Sequence, residues 1–163
     1  MRTFILLSAM PGSGKSTWAN QYKKEHENVI IVSSDDIRER LNGDASDVSN
    51  DKNVWIEYSR LIEESSKIQD VTVIGDSTNL SNHYRCFYAE KAAPLYDKLV
   101  LVIFDVPYEV CQKRNIGRYP GRVVPEFAME SLRKEYEDPS EDALSRYHEV
   151  YVVDESGKTT RKK

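Results

Sequence analysis

Nine residues constrain this chain more than any other part of it. Ala9-Met10-Pro11-Gly12-Ser13-Gly14-Lys15-Ser16-Thr17 follows a short apolar run at 3–8 and opens a stretch with helical spacing at 15–27. A strand that ends in glycines and turns at once into a helix leaves a row of backbone N–H groups free. Gly12 and Gly14 permit the conformations that turn those groups inward as an anion nest. The helix start adds further donors and the positive end of its dipole. The pattern is a P-loop, with Ala9 at the position where glycine usually begins it. That departure is small, because alanine adopts most backbone conformations other than a strongly positive φ. In this reading Gly12, Ser13, Gly14, Lys15, Ser16 and Thr17 cradle the phosphates of a nucleoside triphosphate. Lys15 reaches the β- and γ-phosphates, and the Ser16 hydroxyl ligates Mg²⁺.

The rest of the chain supplies the frame that such a loop needs. Apolar, β-branched runs recur at 3–8, 29–33, 71–75, 99–104 and 150–153. Near-continuous apolar runs read as strands buried on both faces. Between them lie helix-like stretches at 15–27, 54–68, 81–93, 108–114 and 125–137, the last with Pro125 suited to a first turn. Alternation of this kind implies right-handed βαβ units, hence an α/β fold: a doubly wound parallel sheet of about five strands with flanking helices. Residues 42–53 read as a polar surface loop, and 115–124, with two Gly, one Pro and two Arg, as a mobile basic lid. The expected domain is 1–154, with 155–163 a basic, disordered tail.

A length of 163 residues suits one domain with a core of its own. No apolar run approaches the ~18–20 residues of a membrane span, and the first residues lack the pattern of a signal peptide, so a cytoplasmic protein with no membrane partner is expected. Cys86 and Cys111 form no CxxC, which argues against a disulfide framework or a zinc site. The net charge of −4 argues against non-specific coating of nucleic acid but leaves room for a local cluster of Arg and Lys.

In an open α/β sheet, ligands sit beyond the carboxyl ends of the strands. Ser34-Asp35-Asp36-Ile37-Arg38 follows the second run and should face the loop. Phosphoryl transfer needs a carboxylate to accept or orient the attacking hydroxyl, a role that suits Asp35. Arg38, three residues on, shares its helix face and suits a phosphate beside that hydroxyl. The same residues also read as a helix start, with Ser34 as cap, two acids facing the dipole and Arg38 in a surface ion pair. Asp76 stands just past the third run, where a carboxylate serves a metal's water shell or a catalytic side chain, or caps a turn. Asn79 reads as a turn residue. Arg114 and Arg118, four apart in the basic loop, suit closure over phosphates or plain solvation.

Together these pieces resemble the 5′-hydroxyl polynucleotide kinases, the kinase half of phage and bacterial end-healing enzymes. The resemblance rests on Pro11 to Ala19, Ser34-Asp35-Asp36-Ile37-Arg38, Asp76-Ser77-Thr78-Asn79-Leu80, Phe104-Asp105-Val106-Pro107, and Lys113-Arg114-Asn115 with Arg118. It implies ATP and Mg²⁺ as cofactors and a nucleic acid 5′-OH end as substrate. It also implies Lys15, Asp35 and Arg118 as catalytic residues, with Asp35 the general base. Arg114 would lie near the adenine and the lid base. Arg38 would contact the phosphate 3′ of the terminal nucleotide, and Asp76 would support the site. Kinases of metabolites, antibiotics or nucleotide sugars share the P-loop, the carboxylate after a strand and the lid arginine, and form the alternative. A regulatory ATPase with no acceptor is a second alternative, one that would have no use for Asp35 and Arg38.

Overall fold

All five apolar runs form strands in the computed structural model, which describes residues 1–163: β1 (Thr3–Ser8), β2 (Val29–Ser33), β3 (Thr72–Asp76), β4 (Lys98–Asp105) and β5 (Glu149–Asp154). They pair in parallel in the order β2-β3-β1-β4-β5. Seven α-helices join them: α1 (Lys15–Glu25), α2 (Ser34–Asn42), α3 (Asp51–Ser65), α4 (Asn82–Ala92), α5 (Tyr108–Ile116), α6 (Glu126–Glu135) and α7 (Glu141–Ser145). A single 3₁₀ turn occupies Pro120–Arg122 in the basic loop. No helix is long and apolar enough to cross a membrane.

The reason the runs are apolar on both sides is visible in β1. Phe4 and Leu6 point to one face, where Tyr58 and Ile62 of α3 and Tyr88 and Ala89 of α4 pack on them. Ile5 and Leu7 point to the other, against Ala19 of α1 and, at its edge, Trp18. Side chains alternate along a strand, so covering both faces with helices makes every position apolar. Full burial of each such side chain stabilises the fold by ~1.5–3 kcal/mol.

Three details depart from the sequence reading. The tail expected to be disordered forms a sixth strand, β6 (Thr159–Arg161), antiparallel to β5, so 155–163 extend the same sheet. The turn between them is anchored by Asp154, whose Oδ1 accepts from the backbone N–H of Ser156 and Lys158, with Gly157 at φ 85°. The cap of α2 is Ser33 rather than Ser34, because β2 runs straight into the helix; Ser33 Oγ accepts from Asp36 N at 3.2 Å. And α7, capped by Ser140, is absent from the sequence reading because a helix of five residues has no apolar period to find.

The topology places the site. From β1 the chain first builds the β2–β3 half of the sheet and then returns past β1 to build the β4–β5 half. A crevice opens at the carboxyl ends of the strands where the winding reverses. The P-loop leaves β1 there, Asp76 ends β3 and Asp35 follows β2, with Ser33 in register with Asp76.

Candidate active site

The phosphate cradle is built by backbone conformation. Gly12 and Gly14 have φ of 81° and 98°, while Ala9 is not among the positive-φ residues, so the alanine that opens the loop costs nothing there. Gly12 is required twice over, since a Cβ on it would stand 2.3 Å from the carbonyl oxygen of Cys111 in α5. Gly14 caps α1 without a side-chain bond, and the first turn carries no acid, which leaves the helix start open to an anion. Behind the loop, Ala9 N donates to Thr78 O, Ser8 Oγ donates to Asn79 O, and Asn79 Nδ2 donates to Leu7 O and Ser77 Oγ. Asn79 has a left-handed backbone at φ 45° and is a buried clamp between the ends of β1 and β3.

Lys15, Ser16 and Asp76 meet at the head of α1. Lys15 is buried with Nζ 3.9 Å from Asp76 Oδ1, and Ser16 Oγ donates to Asp76 Oδ2 at 3.1 Å. Asp76 is 4% exposed, and its Oδ1 has no hydrogen-bond partner. Burial pushes its carboxyl above the usual range, against the pull of Lys15 and the Ser16 hydroxyl. A buried carboxylate with an orphaned oxygen, a hydroxyl beside it and a phosphate cradle in front is a donor set that fits Mg²⁺. That ion binds through one or two carboxylates, with substrate phosphates and water completing its shell.

Asp35 stands among three guanidinium groups. Arg38 Nη1 donates to its Oδ1 at 2.9 Å, while Arg118 Nη2 and Arg122 Nη1 lie 3.7 and 3.8 Å from its Oδ2. Arg38 is 9% exposed, so the surface ion pair is not what the structure contains. It also binds Asp51 at the start of α3 with two parallel bonds, Nε to Oδ1 at 2.9 Å and Nη2 to Oδ2 at 3.2 Å. Such a pair fixes orientation as well as charge, and it makes Asp51 the residue that aims Arg38 at Asp35. Arg122 in turn bonds Asp36 Oδ1 at 2.7 Å and Glu39 Oε2 at 2.9 Å, which fastens the basic loop onto α2. Burial opposes the charge on its guanidinium, but hydrogen bonds to Asp36 and Tyr119 outweigh that effect and keep it protonated. At the other end of the loop, Asn115 exchanges two bonds with the backbone of Val124, at 2.8 and 2.9 Å.

The structure thus gathers Lys15, Ser16 and Asp76 in one group, and Asp35, Arg38 and Arg118 in a second. Arg114 belongs to neither. It bridges the loop to the β5–β6 turn, donating to Ser13 O at 3.4 Å and to Glu155 O at 2.7 Å. Thr17 is exposed in the first turn of α1. Arg122 and Asp51 do not stand out in the sequence. Arg122 is legible there only as charge in the basic loop, and Asp51 gives no signal, since its partner Arg38 comes from another segment.

Lys15, Asp35, Arg38 and Asp51 share a cleft of about 720 Å³. Its walls are aromatic: Trp55 of α3, Tyr84 and Phe87 of α4 and Phe127 of α6. These side chains are 37, 44, 46 and 79% exposed, a set of rings facing open space beside a carboxylate and a lysine.

A parallel sheet with the P-loop after its central strand, a buried lysine and carboxylates at the neighbouring strand ends define a P-loop domain of the kinase type. Residues 5–139 match the family model described as an AAA domain, and the chain belongs to that family. It is 27% identical over 152 residues to protein kti12 of Schizosaccharomyces pombe (83% of this chain, 52% of the relative). It is 26% identical over 147 residues to the L-seryl-tRNA(Sec) kinase of Methanococcus maripaludis, again covering 83% of this chain and 52% of the relative. The chain therefore spans about half the length of the curated relatives it matches. Among solved structures, a chain of the Pnkp1/Rnl/Hen1 RNA repair complex superposes with a TM-score of 0.72 at 21% identity, covering 99% of this chain and 49% of that one.

Proposed function

We propose that this domain transfers the γ-phosphoryl group of ATP to the 5′-hydroxyl of a nucleic acid end. The observation that carries the reading is the single cleft in which Lys15, Asp35 and Arg38 meet four exposed aromatic rings. A nucleotide offers a ring to stack, a phosphate for a guanidinium and a hydroxyl for a carboxylate, and few other alcohols offer all three.

In the reaction the 5′ oxygen forms a bond to the γ-phosphorus, the bond from that phosphorus to the β,γ-bridging oxygen breaks, and ADP leaves. Asp35 takes the proton of the attacking hydroxyl. Lys15 and the N–H groups of the cradle hold the donor phosphates. Arg118 and Arg122 release Asp35 and turn to the transferring phosphoryl group, whose charge a guanidinium offsets. Ser16, with Asp76 behind it, would hold Mg²⁺, which would supply charge neutralisation on the donor phosphates.

A second reading, a small hydroxylated acceptor, is favoured by one observation: Arg38 already spends its donors on Asp35 and Asp51. Asp35→Asn tests the base that both readings share, and the acceptor separates them. Asp35→Asn lowers kcat by about 10²–10⁴ with ATP affinity kept within about threefold, because a base acts in the transition state. In the wild type the acceptor is a 5′-OH oligonucleotide and not sugars or amino alcohols. Transfer to a sugar alone would replace the first reading by the second, and equal loss of kcat and ATP affinity would make Asp35 a structural residue.

A further inference from the structure

The acceptor cleft does not close at its aromatic wall. Trp55 and Ser59 of α3 border it on one side and on the other border a shallow depression of about 510 Å³. Lys52, Arg60 and Lys91 line that depression, with Glu63 as its one acid. Helix periodicity explains how two sites share a wall. On α3, Asp51, Trp55 and Ser59 recur every four residues along the cleft, and Lys52, Ile56 and Arg60 stand one step round. On α4, Tyr84 and Phe87 line the cleft, and Lys91 lies on the same stripe about 10 Å beyond Tyr84. Arg60 is paired with Glu57, whereas Lys52 and Lys91 enter no salt bridge. In a chain of net charge −4, two unpaired lysines and an arginine beside an exposed tryptophan form a local electropositive track.

We propose, resting on the nucleic acid reading above, that this depression carries the sugar–phosphate backbone of the acceptor strand 3′ of its first nucleotide. The terminal hydroxyl lies at Asp35, a base stacks at the Trp55 ridge, and the following phosphates run over Lys52 and Lys91. Stacking on aromatic rings combined with a cationic path is how single strands are held without regard to sequence. The protein therefore recognises a strand and not merely a terminal nucleotide.

The test compares two acceptors, a nucleoside 3′-monophosphate and a 5′-OH strand of twelve nucleotides, with wild type and the Lys52→Ala/Lys91→Ala double variant. Wild type has a lower KM for the strand. The double variant raises the KM for the strand roughly tenfold and leaves that for the mononucleotide within about twofold. The slope of log KM against log salt for the strand falls by about 1.4, near 0.7 for each phosphate that no longer meets a lysine. Anisotropy of the same strand labelled at its 3′ end gives the same change in affinity without turnover. Equal wild-type KM for both acceptors, or a double variant that moves both alike or neither, removes the track and leaves the function standing. Wild-type transfer to a small alcohol and to neither 5′-OH acceptor overturns the nucleic acid reading and the track together.

Discussion

Replacing Gly12 by alanine perturbs the phosphate loop in two ways that the structure separates. The first is backbone strain: φ is 81°, and a left-handed conformation costs an L-residue with a Cβ ~1–2 kcal/mol. The second is steric. The new Cβ would stand 2.3 Å from Cys111 O, and an ordinary contact begins near 3.4 Å, so loop or helix must retreat by about 1 Å. Cys111 is fully buried in α5, and its carbonyl is backbone, so no flexible side chain can absorb the shift. Overpacking of this kind adds ~1–3 kcal/mol. Gly14→Ala provides the control. Its φ is 98°, but the Cβ would meet nothing nearer than Arg114 Nη1 at 4.0 Å, so it carries strain alone. Thermal melts of the two variants therefore differ. For a domain of this size 1 kcal/mol shifts Tm by ~2–4 °C, which puts Gly14→Ala ~2–8 °C and Gly12→Ala ~4–20 °C below wild type. Titration with ATP should show at least a tenfold loss of affinity for Gly12→Ala, since a displaced loop no longer aims its N–H groups inward. Equal melts for the two variants, or a Gly12→Ala protein that binds ATP as wild type does, would refute the steric argument.

Two further changes probe the interior. Burial raises the Asp76 carboxyl above its usual 3.8, against Lys15 and Ser16. The folded state therefore binds that proton more tightly than the unfolded chain, a contribution that is present below 3.8 and is lost as pH rises through the folded value. Asp76→Asn removes this titration, so the ligand-free variant melts above wild type at pH 7, and the gap closes as pH falls towards 3.8; a variant that melts lower at pH 7 would mean that Lys15 outweighs burial. Arg85 of α4 is fully buried and donates to Ser8 Oγ, Asn82 Oδ1 and Glu137 O, tying the end of β1 to the segment after α6. Arg85→Met leaves those acceptors short of a charged donor and should cost about 3 kcal/mol, a fall of ~6–12 °C in Tm by circular dichroism; an unchanged melt would make the clasp dispensable.

What the sequence showed and what it hid follow from the range of the interactions involved. The five parallel strands were legible because each is buried on both faces. β6 was not, because its residues are all exposed and its pairing is carried by backbone groups. The loop was legible because glycine conformation is a local property of Gly12 and Gly14. Asp35 was legible as a strand-end carboxylate, but its surroundings were not. Arg38 meets Asp51 across 13 residues and Arg122 meets Asp36 across 86, and neither pairing leaves a periodic trace. Trp55 illustrates the limit of the helical pattern. It stands three residues before Tyr58 and seven before Ile62, on one helical stripe, yet those two are buried while Trp55 faces the cleft. A stripe gives the face of a helix but not the place where the core stops and an open site begins.

The central claim is that the P-loop and Asp35 serve one transfer across one cleft. The most direct measurement incubates the protein with γ-labelled ATP and Mg²⁺ and offers a 5′-OH oligonucleotide, the same strand already 5′-phosphorylated, or no acceptor. Label on the 5′-OH strand alone, recovered as a 5′-mononucleotide after digestion and missing with Lys15→Ala, is the predicted result. Label released only as inorganic phosphate, or no turnover with any 5′-OH strand, would contradict it.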